Sequence, residues 1–241
     1  AELAAFGKAF AGKKTEKASE KIRDLSIVIP AFNEKENISK TLRVLGRYLD
    51  EKGEGCEVIV VDDGSSDGTG ETAAALLSGG RGKVVRTPDR RGYGFALRTG
   101  FDAASKKLTA YFDGDYPAHV SNLGRFFFEA EKADMVIGFR ENSLSEGLVR
   151  FVYRHVYGWL VRVLLGIKVS DVNFAFKIFR TADWKSFKVR SEGSFIDAEL
   201  VFRAVKAGLS VKESPVRLLT RTFGKSRLAN PRNIRNILGE L

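Results

Sequence analysis

The chain predicts an α/β domain, a mainly parallel central sheet between two helical layers, and three observations carry that prediction. From residue 25 onward, short apolar runs rich in Val and Ile alternate with single stretches of helical periodicity. That alternation calls for right-handed crossovers between parallel strands. The apolar runs are continuous, as expected of strands covered on both faces. Several end abruptly on acids and glycines, as in "VIVVDDGSSDGT" at 58–69 and "LTAYFDGD" at 108–115. The carboxyl edge of an open α/β sheet is where such folds bind ligands.

Residues 1–24 are rich in Ala, Lys and Glu, with Leu3, Phe6 and Phe10 at helical spacing, and predict an amphipathic or disordered leader. The domain is expected over 25–228. Within it "LSIVIPAF" reads as a strand and 35–50 as a helix with Ile38, Leu42, Leu45 and Leu49 on one face. "EVIVVDD" is a strand, 68–78 a helix, "KVVRT" a weaker strand, 93–105 a helix, "LTAYFDGD" a strand, 120–131 a helix and "ADMVIGFR" a strand. After Arg140 the rhythm changes. A long helix is expected over 147–165, "DVNFAFKIF" alternates apolar and polar residues like a half-buried strand, and a helix at 194–207 precedes a last strand near 211–221. Residues 229–241 carry their own start signal, Asn230 at the N-cap and Pro231 in the first turn. Ile234, Ile237, Leu238 and Leu241 then share a face, giving a C-terminal amphipathic helix suited either to the domain's own core or to a membrane surface.

With 241 residues, 44% of them apolar, the chain can bury one sizeable core. Cys56 is the single cysteine, so no intramolecular disulfide and no cysteine-based zinc site can form. No signal peptide is visible, and the most apolar stretch, "FVYRHVYGWLVRVLLGI", is interrupted by Arg154, His155 and Arg162, so no membrane span is expected. Forty Lys and Arg against thirty Asp and Glu leave a net charge of +10, concentrated toward the C-terminal end. Such a balance implies acidic partners: nucleic acid, an anionic membrane surface or phosphorylated substrates. No nucleic-acid-binding motif is present, and nucleic acid is not expected as a partner.

The chemistry-bearing residues fall at strand ends. Asp62 closes a buried strand at the ligand-binding edge, and Asp113-Gly114-Asp115 follows another. Two carboxylates flanking a glycine either make a turn or share one hard divalent cation. "RRGYGFALRTG" adds a glycine-rich basic turn in which Arg91 or Arg98 supplies charge, while Gly92 and Gly94 also suit a plain turn. Together these segments describe a pocket for a nucleotide diphosphate. A dinucleotide fingerprint after the first strand and a Walker loop are both absent. His119 reads as a surface residue, and Asp197 and Glu199 open a helix, where acids favour the dipole whatever their role.

"VIPAFNE", "VVDDGSSDGT", "RRGYGFALRTG" and "YFDGD" look like the nucleotide-sugar half of inverting family-two glycosyltransferases with the GT-A fold. "IGFR", "DVNFAFKIF", "FIDAELVFRAVKAG" and "RTFGKSRL" resemble the subgroup that makes polyprenyl-phosphate sugars, the dolichyl-phosphate mannose and glucose synthases. The resemblance covers about residues 25–228. It implies transfer of a sugar with inversion from a nucleotide-sugar donor, GDP-mannose or UDP-glucose, to polyprenyl or dolichyl phosphate. It further implies Mg²⁺ or Mn²⁺ as cofactor and a membrane-associated location at the cytoplasmic face.

Carried over residue by residue, the resemblance implies that Pro30, Phe32 and Glu34 line the base and ribose pocket, with Asp62 binding the nucleoside. Asp113 and Asp115 would meet the diphosphate and metal, and Arg221 the donor phosphates. Lys225, Ser226 and Arg227 read either as a solvated basic loop or, from their adjacency to Arg221, as a phosphate-covering loop with Lys225 at the donor. Arg140 and Arg154 match the positions that hold the acceptor phosphate. Pro117 stands where those synthases often have a metal-side Gln, and "FAF" at 174–176 replaces their "SGF". The alternative on the same fold, a soluble saccharide or protein hydroxyl acceptor, requires a general base, for which Asp197 or Glu199 would have to serve.

Overall fold

The computed structural model describes residues 21–114, 117–140, 163, 166–167 and 169–216. In chain order the elements are β1 (Ile22–Arg23), β2 (Leu25–Ala31), α1 (Lys35–Lys52), β3 (Gly53–Glu54), β4 (Glu57–Asp62), α2 (Thr69–Leu77), β5 (Gly82–Arg86), α3 (Tyr93–Asp102) and β6 (Leu108–Phe112). A 3₁₀ turn (Pro117–Asn122) leads into α4 (Leu123–Ala130), followed by β7 (Met135–Arg140), β8 (Phe176–Arg180), α5 (Thr181–Phe187), α6 (Ile196–Lys206) and β9 (Val211–Val216). The expected helix at 147–165 apart from Val163, the helix at 229–241 and the end of the last strand lie outside the described residues.

The 7-stranded sheet has the order β5-β4-β2-β6-β8-β7-β9. Every neighbouring pair is parallel except those made by β8, which enters antiparallel between β6 and β7. This is the mainly parallel α/β arrangement that the alternating pattern predicts, and it agrees with the GT-A fold that the resemblance implies. β2, β4 and β6 are buried along almost their whole length, which explains why their sequences run apolar without alternation. Ile27, Ile29, Val58 and Val60 face α1, α2 and α4, whereas Val28, Ile59 and Val61 face α3, α5 and α6. Helices on both faces of one sheet give three layers.

Two local features depart from the sequence reading. Ile22, inside the stretch expected as leader, is buried, and β1 pairs with β3 beside the main sheet. An apolar side chain placed there joins the core cluster under α1. "DVNFAFKIF" is a strand only from Phe176, and Phe176 to Phe179 are buried on both faces instead of alternating. The reason is topological: a strand inserted between two others, under helices on both sides, has no solvent face. Phe126 stacks on Phe176 with ring centroids 4.1 Å apart, and Phe101 meets Phe179 edge-on at 5.2 Å, covering β8 from opposite sides.

Candidate active site

The carboxyl ends of β2 and β4 are bound into one unit by turn residues. Asn33, in the left-handed region at φ 52°, donates its backbone N–H to Ser65 Oγ at 2.9 Å. Its side-chain Oδ1 accepts the Ser66 N–H at 2.9 Å. The Glu34 N–H goes to Thr69 Oγ1 at 2.9 Å and the Lys35 N–H to Asp67 Oδ2 at 3.1 Å. The Gly-Ser-Ser-Asp-Gly-Thr turn therefore supplies acceptors for the first backbone donors of α1, which would otherwise go unsatisfied.

Asp62 is fully buried, and its Oδ1 accepts the Ser65 N–H at 3.0 Å. Its Oδ2 makes no hydrogen bond and lies 3.3 Å from Arg86 Nε on the paired strand. A Cβ on Gly70 would come within 2.3 Å of that oxygen, so the first turn of α2 closes down directly on the carboxylate. Asp63, which the sequence reading did not single out as a site residue, holds the basic turn. It accepts the Arg91 N–H at 2.9 Å and the Thr87 hydroxyl at 3.2 Å on Oδ1, and the Gly92 N–H at 2.8 Å on Oδ2. Adjacent acids thus point to opposite loops, as neighbours at a strand end must.

Pro30, Phe32 and Glu34 are partly exposed along this edge. The Arg90 guanidinium lies 4.3 Å from the Phe32 ring centroid, a cation over an aromatic face at the mouth of the β2–β4 unit. The Glu34 carboxylate accepts the Asn37 side-chain amide. Arg91 covers Phe95 at 4.4 Å, and Arg98 donates to the Arg190 carbonyl at 2.8 Å, so both cations are engaged with the protein itself. Gly92 has φ 118°, and a Cβ on Gly94 would meet the 191–193 backbone at 2.7 Å. The "GYG" stretch is therefore a close docking of α3 on that segment as well as a turn.

Asp113 follows β6 directly and is partly exposed. The Gly114 carbonyl accepts the Thr41 hydroxyl at 2.7 Å, and a Cβ there would stand 3.1 Å from Ile29 Cγ2. The glycine brings this turn flush against β2 and α1. Asp115 lies outside the described residues, as do Arg154, Arg221 and Lys225. Arg140 ends β7, on the same sheet edge as Asp113 because β6 and β7 run parallel on either side of β8. Its guanidinium is 5.3 Å from the Phe174 ring centroid and 3.7 Å from Asp171 Oδ2.

A buried polar cluster, invisible to sequence reading, underlies this edge. Register sets Tyr111 opposite Lys177, and Lys177 is 0% exposed. Its ammonium donates to the Phe174 carbonyl at 2.8 Å and to Asp197 Oδ1, and sits 5.3 Å from the Tyr111 ring centroid. Tyr111 donates its hydroxyl to the same Asp197 oxygen. Burial, then the Asp197 charge and hydrogen bond and the Asp113 charge, push the Tyr111 hydroxyl well above its ordinary pKa. Tyr93, at the start of α3, has a buried hydroxyl oxygen with no hydrogen-bond partner. Burial, then the charges of Asp113, Asp197 and Tyr111 and a hydrogen-bonding interaction with Asp113 too loose to count as a full hydrogen bond, raise its pKa well above the usual value.

Glu199 is committed to structure. Its Oε2 accepts the Arg190 N–H at 3.0 Å, the Ser191 N–H at 2.9 Å and the Ser191 hydroxyl at 2.6 Å, and its Oε1 accepts Arg203 at 2.8 Å. Burial alone would raise its pKa, but the bonds from Ser191, Arg190 and Arg203 outweigh it and hold the carboxyl below the ordinary range. A depressed folded-state pKa contributes stability above the unfolded value of about 4.3, lost as the pH falls through the folded value. Glu199→Gln is accordingly expected to destabilise the protein by about 1.5–3 kcal/mol at pH 7. In urea titrations the deficit should shrink as the pH falls below about 4.3; a deficit that grows with acid would refute the assignment.

The chain matches the model of the family described as "Glycosyl transferase family 2" over residues 26–187. It is 31% identical over 203 residues to the glycosyltransferase AglD of Haloferax volcanii, covering 80% of this chain and 32% of that protein. It is 28% identical over 221 residues to the dodecaprenyl-phosphate galacturonate synthase of Rhizobium johnstonii, covering 89% of this chain and 64% of that protein. The chain therefore spans between about a third and two thirds of the length of these relatives. Among solved structures, glucosyl-3-phosphoglycerate synthase of Mycobacterium tuberculosis superposes with a TM-score of 0.63 at 20% identity, over 96% of this chain and 81% of that one. The same synthase in complex with Mn²⁺, UDP-glucose and phosphoglyceric acid gives a TM-score of 0.66 at 20% identity, over 92% and 78%. With its acid-ended parallel strands and single inserted antiparallel strand, the chain belongs to glycosyl transferase family 2.

Proposed function

We propose that the chain transfers a sugar, with inversion, from a nucleotide diphosphate donor to a polyprenyl phosphate at a membrane surface. The observation that carries this reading is the state of the two carboxylates that a hydroxyl acceptor would need. Asp197 is buried against Lys177 and Tyr111, and Glu199 against Ser191, Arg190 and Arg203. Neither is presented to an incoming hydroxyl as a general base. A lipid monophosphate is already an anionic nucleophile near neutral pH and asks only for cations to place it. Arg140, partly exposed at the sheet edge, is such a cation, with Arg154 proposed as its companion. The name of the Rhizobium relative, a dodecaprenyl-phosphate galacturonate synthase, supports the same acceptor class.

In this reading Pro30, Phe32 and Glu34 border the nucleoside and Asp62, whose Oδ2 has no hydrogen-bond partner, binds it, with Arg221 and Lys225 approaching the donor phosphates. Asp113 and Asp115 would hold a divalent cation, Mg²⁺ or Mn²⁺. The residues fit such a group: a hard cation bound with a diphosphate needs only one or two carboxylates, and Asp113 is partly exposed at the carboxyl end of β6. Among the described residues no cluster of three acidic, His or Cys side chains exists, which leaves the remaining ligands to Asp115 and the diphosphate. When bound, the cation would neutralise charge on the leaving diphosphate.

Replacing both Arg140 and Arg154 with Ala should leave nucleotide-sugar affinity nearly intact while lowering transfer by orders of magnitude. Each charge-assisted contact is worth roughly 1.5–3 kcal/mol. Equal loss of donor affinity, measured by calorimetry, would put them in the nucleotide pocket instead. No helix of the described residues is long and apolar enough to cross a membrane. The role proposed for residues 230–241 is surface attachment, in which Ile234, Ile237, Leu238 and Leu241 would face lipid and Arg232 and Arg235 anionic headgroups. Deleting them should reduce cosedimentation with anionic liposomes; undiminished binding by a folded truncation would remove that role.

A further inference from the structure

Val136, Gly138 and Arg140 fall on one face of β7, because side chains alternate along a strand. Phe174 lies across that face. A Cβ on Gly138 would stand 2.6 Å from Cδ1 and 2.7 Å from Cε1 of the Phe174 ring, so the glycine is the seat in which the ring rests. Phe174 is 3% exposed and shares the core cluster of Val136 and Phe176. Its backbone is held as well: the carbonyl accepts the buried Lys177 ammonium at 2.8 Å and the Phe176 N–H at 2.8 Å, and its N–H donates to the Asp171 carbonyl at 3.2 Å. Over this ring sits the Arg140 guanidinium, 5.3 Å from the centroid. The Arg140 side chain keeps 24% of its surface exposed at the carboxyl end of β7.

A guanidinium over an aromatic face is drawn by the ring's quadrupole, and the contact itself consumes none of its N–H donors. Its freedom falls while its phosphate-gripping fork is kept. Packing asks only for apolar volume in the Gly138 seat, not for an aromatic face beneath a cation. A serine, as in the "SGF" pattern that "FAF" replaces, would offer no such face.

We propose that Phe174 is a positioning residue that holds Arg140 in place for the acceptor phosphate, its ring seated on Gly138 and its carbonyl anchored by Lys177. The inference rests on the reading that Arg140 binds that phosphate.

The test is a calorimetric titration of the full chain with a short-chain polyprenyl phosphate and, separately, with UDP or GDP and Mn²⁺. Phe174→Leu keeps apolar volume and removes the aromatic face; it should bind the polyprenyl phosphate roughly 2–30-fold more weakly, the worth of one cation–π contact, with nucleotide affinity unchanged. In an Arg140→Ala background the same substitution should change nothing further, because its effect runs through the guanidinium. Gly138→Ala, whose Cβ would push the ring from its seat, should reproduce the loss and carries the test if Phe174→Leu does not fold. Unchanged polyprenyl phosphate affinity in folded Phe174→Leu would overturn the proposal. So would an equal loss with Arg140 already removed, or a failure of both variants to fold, since either assigns the ring to packing. Arg140→Ala alone separates the two levels. If the unsubstituted chain does not bind polyprenyl phosphate, or Arg140→Ala binds it equally well, the acceptor reading of Arg140 fails and takes the Phe174 role with it; if Arg140→Ala loses affinity and Phe174→Leu does not, only the Phe174 role fails.

Discussion

Lys177→Met is expected to destabilise the protein by about 3–5 kcal/mol, because it strands the Asp197 carboxylate in a buried site without its counter-charge. For a domain of this size that displaces the urea midpoint by roughly 1–2 M. The double variant Lys177→Met/Asp197→Leu should recover most of the loss, since apolar residues of similar volume replace a buried ion pair at little cost or even with a gain. Urea denaturation of the three proteins measures both effects. A Lys177→Met variant as stable as the parent would mean that the ammonium is reached by water and that β8 is not covered as described.

Asp115→Ala should abolish transfer together with metal-dependent nucleotide binding. Losing one of two proposed carboxylates leaves the diphosphate charge uncompensated as it departs, an effect of about 4 kcal/mol or roughly a thousandfold in rate. Steady-state transfer assays and nucleotide titrations with and without Mn²⁺ report the two halves separately. Full activity would mean that Asp-Gly-Asp is only a turn.

The strands were legible because burial on both faces removes alternation, and "IVIP", "VIVV" and "LTAYF" carry that signature on their own. The acid-ended edge was legible for the same reason: Asp62, Asp63 and Asp113 interrupt apolar runs where a core strand must stop. What each acid touches was not. Asp62 and Asp63 are neighbours in sequence, yet one serves Ser65 and the other Arg91 and Gly92, a division set by pleat and loop path. Lys177 was hidden more deeply. In "FAFKIF" a lysine between apolar residues reads as a solvent face, and only the insertion of β8 between β6 and β7 turns that position inward. Its partner Asp197 lies twenty positions on in α6, where an acid in the first turn has an ordinary explanation in the helix dipole. The available signal was the joint presence of one lysine in a core strand and one acid on a helix that must cover it.

Acceptor choice is the central claim, and one measurement addresses it directly. The purified chain is supplied with labelled GDP-mannose or UDP-glucose and Mn²⁺, and offered a short-chain polyprenyl phosphate and a free saccharide in parallel. The account predicts labelled product on the polyprenyl phosphate and none on the saccharide, with no requirement for Asp197 or Glu199 as a proton acceptor. Transfer to the saccharide alone would contradict it, and would return the search for a general base to the buried carboxylates of α6.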